Sequence, residues 1–307
     1  MHRNQTFHDK LPLRISESVR DALADGRPVV ALETTVITHG LPAPHNLETA
    51  HAMAQCILEN DAQPAFIAVI DGTIRIGIEF DELTRFADSS PLKASRRDLA
   101  ALIASRGNGA TTVAATMACA ALARIDVFAT GGIGGVHTDG HNTFDISADL
   151  VELGRSPVAV VCSGAKSILD LPRTLEFLET QGVPVIGYKT EELPAFYLRA
   201  TGLKLQASFD SVEHIARAIR MNKLLGGGGL VVANAIAKQH ALDPDLHEMW
   251  LVQAHTEAQS ARIVGSAVTP WVLKRLFELS CGRTLHANIA LLVDNAALAA
   301  KIARCPV

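Results

Sequence analysis

The chain alternates short apolar runs with longer stretches in which apolar positions recur every three or four residues. The short runs are Pro28–Leu32, Ala65–Ile70, Val127–Thr130, Val158–Cys162, Val183–Gly187 and Leu230–Ala233. They are rich in Val, Ile and Ala and carry few polar residues, so they read as strands buried on both faces. Asp71-Gly72-Thr73 is a turn signal leading into a short strand at Ile74–Ile76. The helical stretches are His45–Glu59, Ser95–Ser105, Thr112–Ala123, Ile168–Thr180, Val212–Leu224, Glu248–Val264, Thr269–Leu279 and Asn288–Ala303. Ser95-Arg96-Arg97-Asp98 has the spacing of a capping box with Ser95 as N-cap. Strands alternating with helices predict an α/β fold: a mostly parallel central sheet with helices on both faces, an α/β/α sandwich. The 307 residues contain no internal repeat and no low-complexity segment. They predict a single α/β domain over residues 1–307, with residues 1–12 as a flexible N-terminal tail.

Composition narrows the functional classes. Hydrophobic residues make up 48% of the chain, enough for a large core, and the net charge of −4 gives no basic footprint. Aromatic residues are 5%, too few for base-stacking platforms, so no nucleic-acid partner is expected. The five cysteines are scattered and form no C-x-x-C pair, which reads as a reducing compartment without a zinc site. The N-terminus has no secretory h-region and no apolar run approaches the length of a membrane span. The expected setting is cytoplasmic, with no membrane partner.

Ligand sites in open α/β sheets gather at the carboxyl ends of the strands, so the residues after each run matter most. The first run ends in Glu33-Thr34-Thr35. Burial there would raise the Glu33 carboxyl and keep it protonated, which suits a general acid; a carboxylate capping a helix or pairing with an arginine fits the same place. The run Val158–Cys162 leads through Ser163-Gly164-Ala165 to Lys166. Three uses stay open for Lys166: a desolvated amine that forms a Schiff base with a sugar aldehyde, a cation that holds a phosphate, or an aliphatic stem packed with its amine in water. The run Leu230–Ala233 leads to Asn234.

Three further segments carry candidate chemistry. Residues 106–118, RGNGATTVAATMA, bring a turn to a helix start near Thr112, where free N–H groups and the helix dipole receive an anion, or where an ordinary N-cap sits. Lys93, near Arg96 and Arg97, is either a phosphate contact or part of a solvated basic turn. The segment GGIGGVH, residues 131–137, is a loop whose backbone can wrap a ligand, but it lacks the G-x-G-x-x-G spacing of a dinucleotide fingerprint. Asp145, Ser147 and Asp149 follow at i, i+2 and i+4. In an extended chain they face one way and offer oxygen ligands to Mg²⁺ or Mn²⁺, with His137 and His141 as further candidates; as a helix start they only cap.

The segments ALETTVITHGLPAPHN, SRRDLA, GATTVAATM, GGIGGVH, FDISADL, CSGAKSILDLPRTLEFLETQGVPV and ANIALLVDNA together resemble the pseudouridine-5′-phosphate glycosidase family, also called the indigoidine synthase A-like family. The resemblance runs from about Ile15 to Ala303. It implies reversible cleavage of the carbon–carbon bond of pseudouridine 5′-phosphate to uracil and ribose 5-phosphate, with a divalent metal, usually Mn²⁺, in a homotrimer. It also implies roles. Lys166 matches the Schiff-base lysine, Glu33 the acid that protonates uracil carbon, and Asp145 the metal ligand. Lys93, Val113, Ser147, Ala148, Asp149 and Asn288 match substrate-binding positions. The chain departs from the family at Thr138-Asp139 and at Ala235-Ile236-Ala237-Lys238, both on the expected rim of the site. The rival class is another lysine-dependent aldolase or lyase acting on a sugar phosphate, which would share Lys166 and the anion site; a sugar-phosphate sensor without turnover is the alternative outside catalysis.

Overall fold

The computed structural model describes residues 11–263 and 268–305. Of the tail expected at residues 1–12, residues 1–10 lie outside this description, and Pro12 is already held: its carbonyl accepts from Ile74 N at 2.8 Å.

The described residues form an 11-stranded sheet. Its strands are β1 (Leu13–Ile15), β2 (Val29–Glu33), β3 (Gln63–Ile70), β4 (Thr73–Ile76), β5 (Leu92–Ala94), β6 (Gly109–Thr111), β7 (Val127–Ala129), β8 (Ala159–Cys162), β9 (Val185–Tyr188), β10 (Ala207–Phe209) and β11 (Leu230–Asn234). The spatial order is β1-β4-β3-β2-β7-β8-β11-β9-β10, with β6 joined to β3 and β5 joined to β6. Neighbours are parallel except where β3 meets β4 and β6. Every residue of β2, β7, β8 and β11 is buried. Successive side chains point to opposite faces of a strand, so both faces of these central strands are covered, as the apolar runs predict.

Helices supply that cover. Arg283–Arg304 packs against β2, β7 and β8, Val113–Leu122 against β2, β3 and β6, and Val212–Leu224 against β9, β10 and β11. Residues Val113 to Ala120 are all buried, because Ala-rich sides let the helix lie close to the sheet. Arg283–Arg304 is long and apolar enough to cross a membrane by length and composition, contrary to the reading that no stretch is. Its packing on three central strands makes it a core helix.

Most element bounds move by only a few residues. The helix expected at Ile168 begins at Leu171, because Asp170 caps it: its side chain accepts from Arg173 N at 3.0 Å. The helix expected at Glu248 begins at Pro244, capped by Asp243, and its expected end at Val264 lies outside the described residues. At the expected capping box Ser95 N donates to Asp98 Oδ2 at 2.8 Å, and the box sits on a 3-10 turn, Arg96–Asp98, that precedes helix Leu99–Ser105. The strands β1, β5, β6 and β10 have three residues each, too short to carry a readable period.

Register decides where the site lies. Leu32 pairs with Ala129, Ala129 with Val161, and Cys162 with Ala233. Glu33 and Thr130 are therefore level with each other, and Ser163 and Asn234 lie one residue further along, all at the carboxyl ends of four adjacent parallel strands.

Candidate active site

Glu33 is the last residue of β2, one position beyond the expected end of that strand, and is 8% exposed. Burial is the largest influence on its carboxyl and lifts it from 4.5 to about 7. Opposing that rise, in decreasing order, are a hydrogen bond from Thr130 Oγ1 and the charge of Lys166; Asp149 adds to it, and Lys93 opposes it. The four groups whose electrostatics act on Glu33 come from β5, the strand end at β7, the turn after β8 and the helix start at Ala148. A carboxyl poised near neutrality can both give and take a proton. Immediately after it the chain makes a five-residue π-helical turn, Val36–Gly40, an irregularity found frequently at functional sites.

Lys166 follows β8 on a loop tied to the neighbouring glycine segment, its N–H donating to Ile133 O at 3.1 Å. Gly164 shapes the approach. It has φ +78°, and a Cβ there would lie 1.9 Å from Pro194 O. The small residues before Lys166 thus make room for the chain itself. Cys162, two residues earlier, is buried, and burial pushes its thiol up to about 12, so it stays a protonated packing group. Lys93, on β5, remains exposed as a residue; crowding of its amine by protein and then the charge of Lys166 lower its pKa.

The run from Asp145 to Asp149 does not form one ligand face. Ser147 caps helix Ala148–Leu153, its Oγ accepting from Asp149 N at 3.3 Å. Asp149 is buried: Oδ1 accepts from Ala114 N at 3.0 Å and Oδ2 from Gly134 N at 2.9 Å. That carboxylate pins the start of helix Val113–Leu122 to the glycine loop. Gly134 permits the contact, since a Cβ there would lie 2.2 Å from Ser147 Oγ. Asp145 stands apart, 45% exposed in its side chain, with Oδ2 3.7 Å from His137 Nδ1. The His141 side chain lies outside the described residues. Among the described residues no group of three His, Cys, Asp or Glu converges on a cation site. The donor set at Asp145 fits a hydrated hard cation held by one carboxylate, and does not fit an all-protein cage.

Three side-chain atoms around these elements are buried with no partner within the chain: Ser95 Oγ, Thr112 Oγ1 and Asn288 Oδ1. Ser95 and Thr112 are drawn together by the β5–β6 pairing, where Thr112 N donates to Ala94 O at 2.9 Å. Thr112 directly precedes Val113 at the helix start, so the segment has the free hydroxyls and helix end that an anion requires. Asn288 is on helix Arg283–Arg304. Sequence reasoning passed over Thr130, hidden as the last letter of an apolar run, and His39, on the π-helical turn. Burial and then the charge of Lys93 lower the His39 pKa.

With this geometry in place, the comparisons are decisive for the family. Residues 18–305 match the family described as indigoidine synthase A like protein. The chain belongs to that family. A pseudouridine-5′-phosphate glycosidase of Sorangium cellulosum is 53% identical over 293 residues, covering 95% of this chain and 92% of the relative. Another, from Caldanaerobacter subterraneus subsp. tengcongensis, is 52% identical and covers 94% of this chain and 95% of its own. Two solved structures share the fold. The prealnumycin C-glycosynthase AlnA in complex with ribulose 5-phosphate is 37% identical, with a TM-score of 0.90 and 97% of each chain covered. An indigoidine synthase A-like protein from Thermotoga maritima is 34% identical, with a TM-score of 0.87 and 96% of each covered.

Proposed function

We propose that this protein reversibly cleaves the C-glycosidic bond of pseudouridine 5′-phosphate, giving uracil and ribose 5-phosphate. The observation that carries the reading is the buried Glu33 carboxyl, raised to about 7 and under the charges of Lys166, Lys93 and Asp149. The names of its relatives supply the substrate class, and a C-glycosynthase with the same fold and a bound sugar phosphate agrees with it.

A C-glycosidic bond has no leaving oxygen or nitrogen to protonate, so the paired-carboxylate route of ordinary glycosidases does not apply. The neutral amine of Lys166 attacks the first carbon of the ribose and breaks its bond to the ring oxygen, which takes up a proton given off by the attacking nitrogen; the ring opens and the nitrogen, with its lone pair restored, stays on that carbon. The nitrogen lone pair then forms a C=N bond as the bond to uracil breaks, and Glu33 delivers a proton to carbon 5 of the base. Water hydrolyses the iminium and returns Lys166 and ribose 5-phosphate. In the reverse direction Glu33 takes the proton back. Lys93, the helix start at Val113, Ser147, Ala148 and Asp149 bind the substrate, with Ser95 and Thr112 hydroxyls available to its phosphate and Asn288 to the base. A divalent cation such as Mn²⁺ at Asp145 would supply positive charge for the phosphate. The assembly belongs to the same proposal: a cytoplasmic homotrimer.

The test is direct. Incubation with pseudouridine 5′-phosphate and Mn²⁺ releases uracil, and incubation with uracil and ribose 5-phosphate consumes it. Cleavage of other sugar phosphates with no exchange of uracil in either direction would replace this reading with that of a different lysine-dependent lyase.

A further inference from the structure

Asn295 is fully buried on helix Arg283–Arg304 and takes no part in the chemistry above. Its Nδ2 donates to Thr130 O at 2.8 Å and lies 3.5 Å from Gly131 O and 3.2 Å from Ser163 Oγ. Its Oδ1 accepts from Asn234 Nδ2 at 2.9 Å, and that same Nδ2 reaches Asp294 Oδ2 at 3.0 Å. Carbonyl oxygens only accept, so the nitrogen of the Asn295 amide must face Thr130 and Gly131. One side chain therefore ties together the carboxyl ends of β7, β8 and β11.

These are the ends that hold the reacting groups. Thr130, whose carbonyl Asn295 holds, donates its hydroxyl to Glu33. Ser163 opens the turn to Lys166. We propose that Asn295 is a positioning residue for the C-glycoside reaction: it fixes the Thr130 and Ser163 segments relative to each other and, through Thr130, fixes the orientation and proton affinity of Glu33. A leucine of similar size would fill the same space but would join none of the three strand ends.

The charged groups that face Glu33 are Lys166, Lys93 and Asp149, and none of them bonds to Asn295. Asp294, the charged neighbour of the amide network, faces Asn234 at its far end. Release of the Thr130 carbonyl from Asn295 lets the Thr130 hydroxyl turn away from Glu33, whose pKa it lowers, so the pH limb set by Glu33 moves to higher pH.

The inference rests on the proposed function, so wild-type release of uracil from pseudouridine 5′-phosphate is measured alongside Asn295→Ala. Leu298→Ala, a buried change on the same helix, serves as the control for lost packing. Asn295→Ala is expected to lower kcat by about 10²-fold, to shift the Glu33 limb upward and to change KM little. Leu298→Ala is expected to lower Tm while leaving the limb in place. If Asn295→Ala does not accumulate folded, Asn295→Leu, which fills the same space and removes the amide without adding a charge, is read in its place. Folded variants with wild-type kcat and an unmoved limb overturn the role of Asn295 alone. A wild type that releases no uracil overturns the proposed function and this role together.

Discussion

Oδ1 of Asp149 accepts the backbone N–H of Ala114 at 3.0 Å, so a carboxylate closes the start of a helix buried from Val113 to Ala120. The other oxygen takes Gly134 N, and the same charge raises the Glu33 pKa. Asp149→Asn keeps the shape but turns one N–H-accepting oxygen into a donor. One buried backbone N–H is left unpaired, at a cost of about 1–3 kcal/mol. Removal of the charge also lowers the pKa of Glu33. The expected outcome is a reduced urea midpoint together with a downward shift of the Glu33 limb in the pH profile of kcat/KM. A limb that stays or moves up would remove Asp149 from the electrostatics of the acid.

Thr130 acts on the same carboxyl with the opposite sign. Its hydroxyl donates to Glu33 Oε1 and holds the pKa down against burial. Thr130→Val is close in volume and removes the donor, so the limb should move above about 7 while kcat falls from the loss of orientation. Thr130→Ser, which restores a hydroxyl, should return the limb toward its wild-type place. A valine variant with an unchanged profile would mean that the hydroxyl packs there without acting on the acid.

Glu33 also carries a stability cost with a definite pH window. Its folded-state pKa of about 7 lies above the ordinary 4.5, so between these values the folded protein holds a proton that the unfolded chain has lost. Stability from this group is fully present below pH 4.5 and is lost as pH rises through about 7. The loss is on the order of 3 kcal/mol at most. Glu33→Gln keeps an oxygen for Thr130 and removes the titration. Its Tm relative to wild type is expected to rise between pH 5 and pH 8, even as uracil release drops by roughly 10²–10⁴-fold. A wild type that gains on the variant over that range would contradict the raised pKa.

Glu33 and Lys166 stand out in the sequence because one directly follows a run of apolar letters and the other follows such a run after a three-residue turn, at strand ends where ligand sites gather. The sheet was legible from the same letters: near-continuous apolar runs separated by helical periods admit few other folds. Asp145, Ser147 and Asp149 left two readings open, one ligand face or a helix start, because spacing alone cannot tell an extended chain from a helix start; Ser147 as a cap decides for the second. The glycines before Val136 suggested a loop that wraps a ligand, yet at Gly134 the room is taken by Ser147, just as at Gly164, before Lys166, it is taken by Pro194. Asn295 was invisible. In the stretch ANIALLVDNAALAA it passes for part of a polar stripe with Asp294, and only the pairing of β7, β8 and β11 brings three strand ends to its amide.

The imine is the most exposed part of the mechanism. An iminium on Lys166 is reduced by borohydride to a stable amine, so wild type treated with ribose 5-phosphate and borohydride should gain one sugar phosphate, located at Lys166 by peptide mass spectrometry. Lys166→Ala should gain none and release no uracil. Lys93, whose pKa is lowered by crowding and by Lys166, is the other amine that could react, and it gives the experiment its discrimination. An adduct on Lys93, or on no lysine at all, would end the role of Lys166 as nucleophile. Glu33→Gln should still form the Lys166 adduct from ribose 5-phosphate, because the acid acts on the base and not on the sugar; failure to form it would tie Glu33 to the imine step instead of to carbon 5 of uracil.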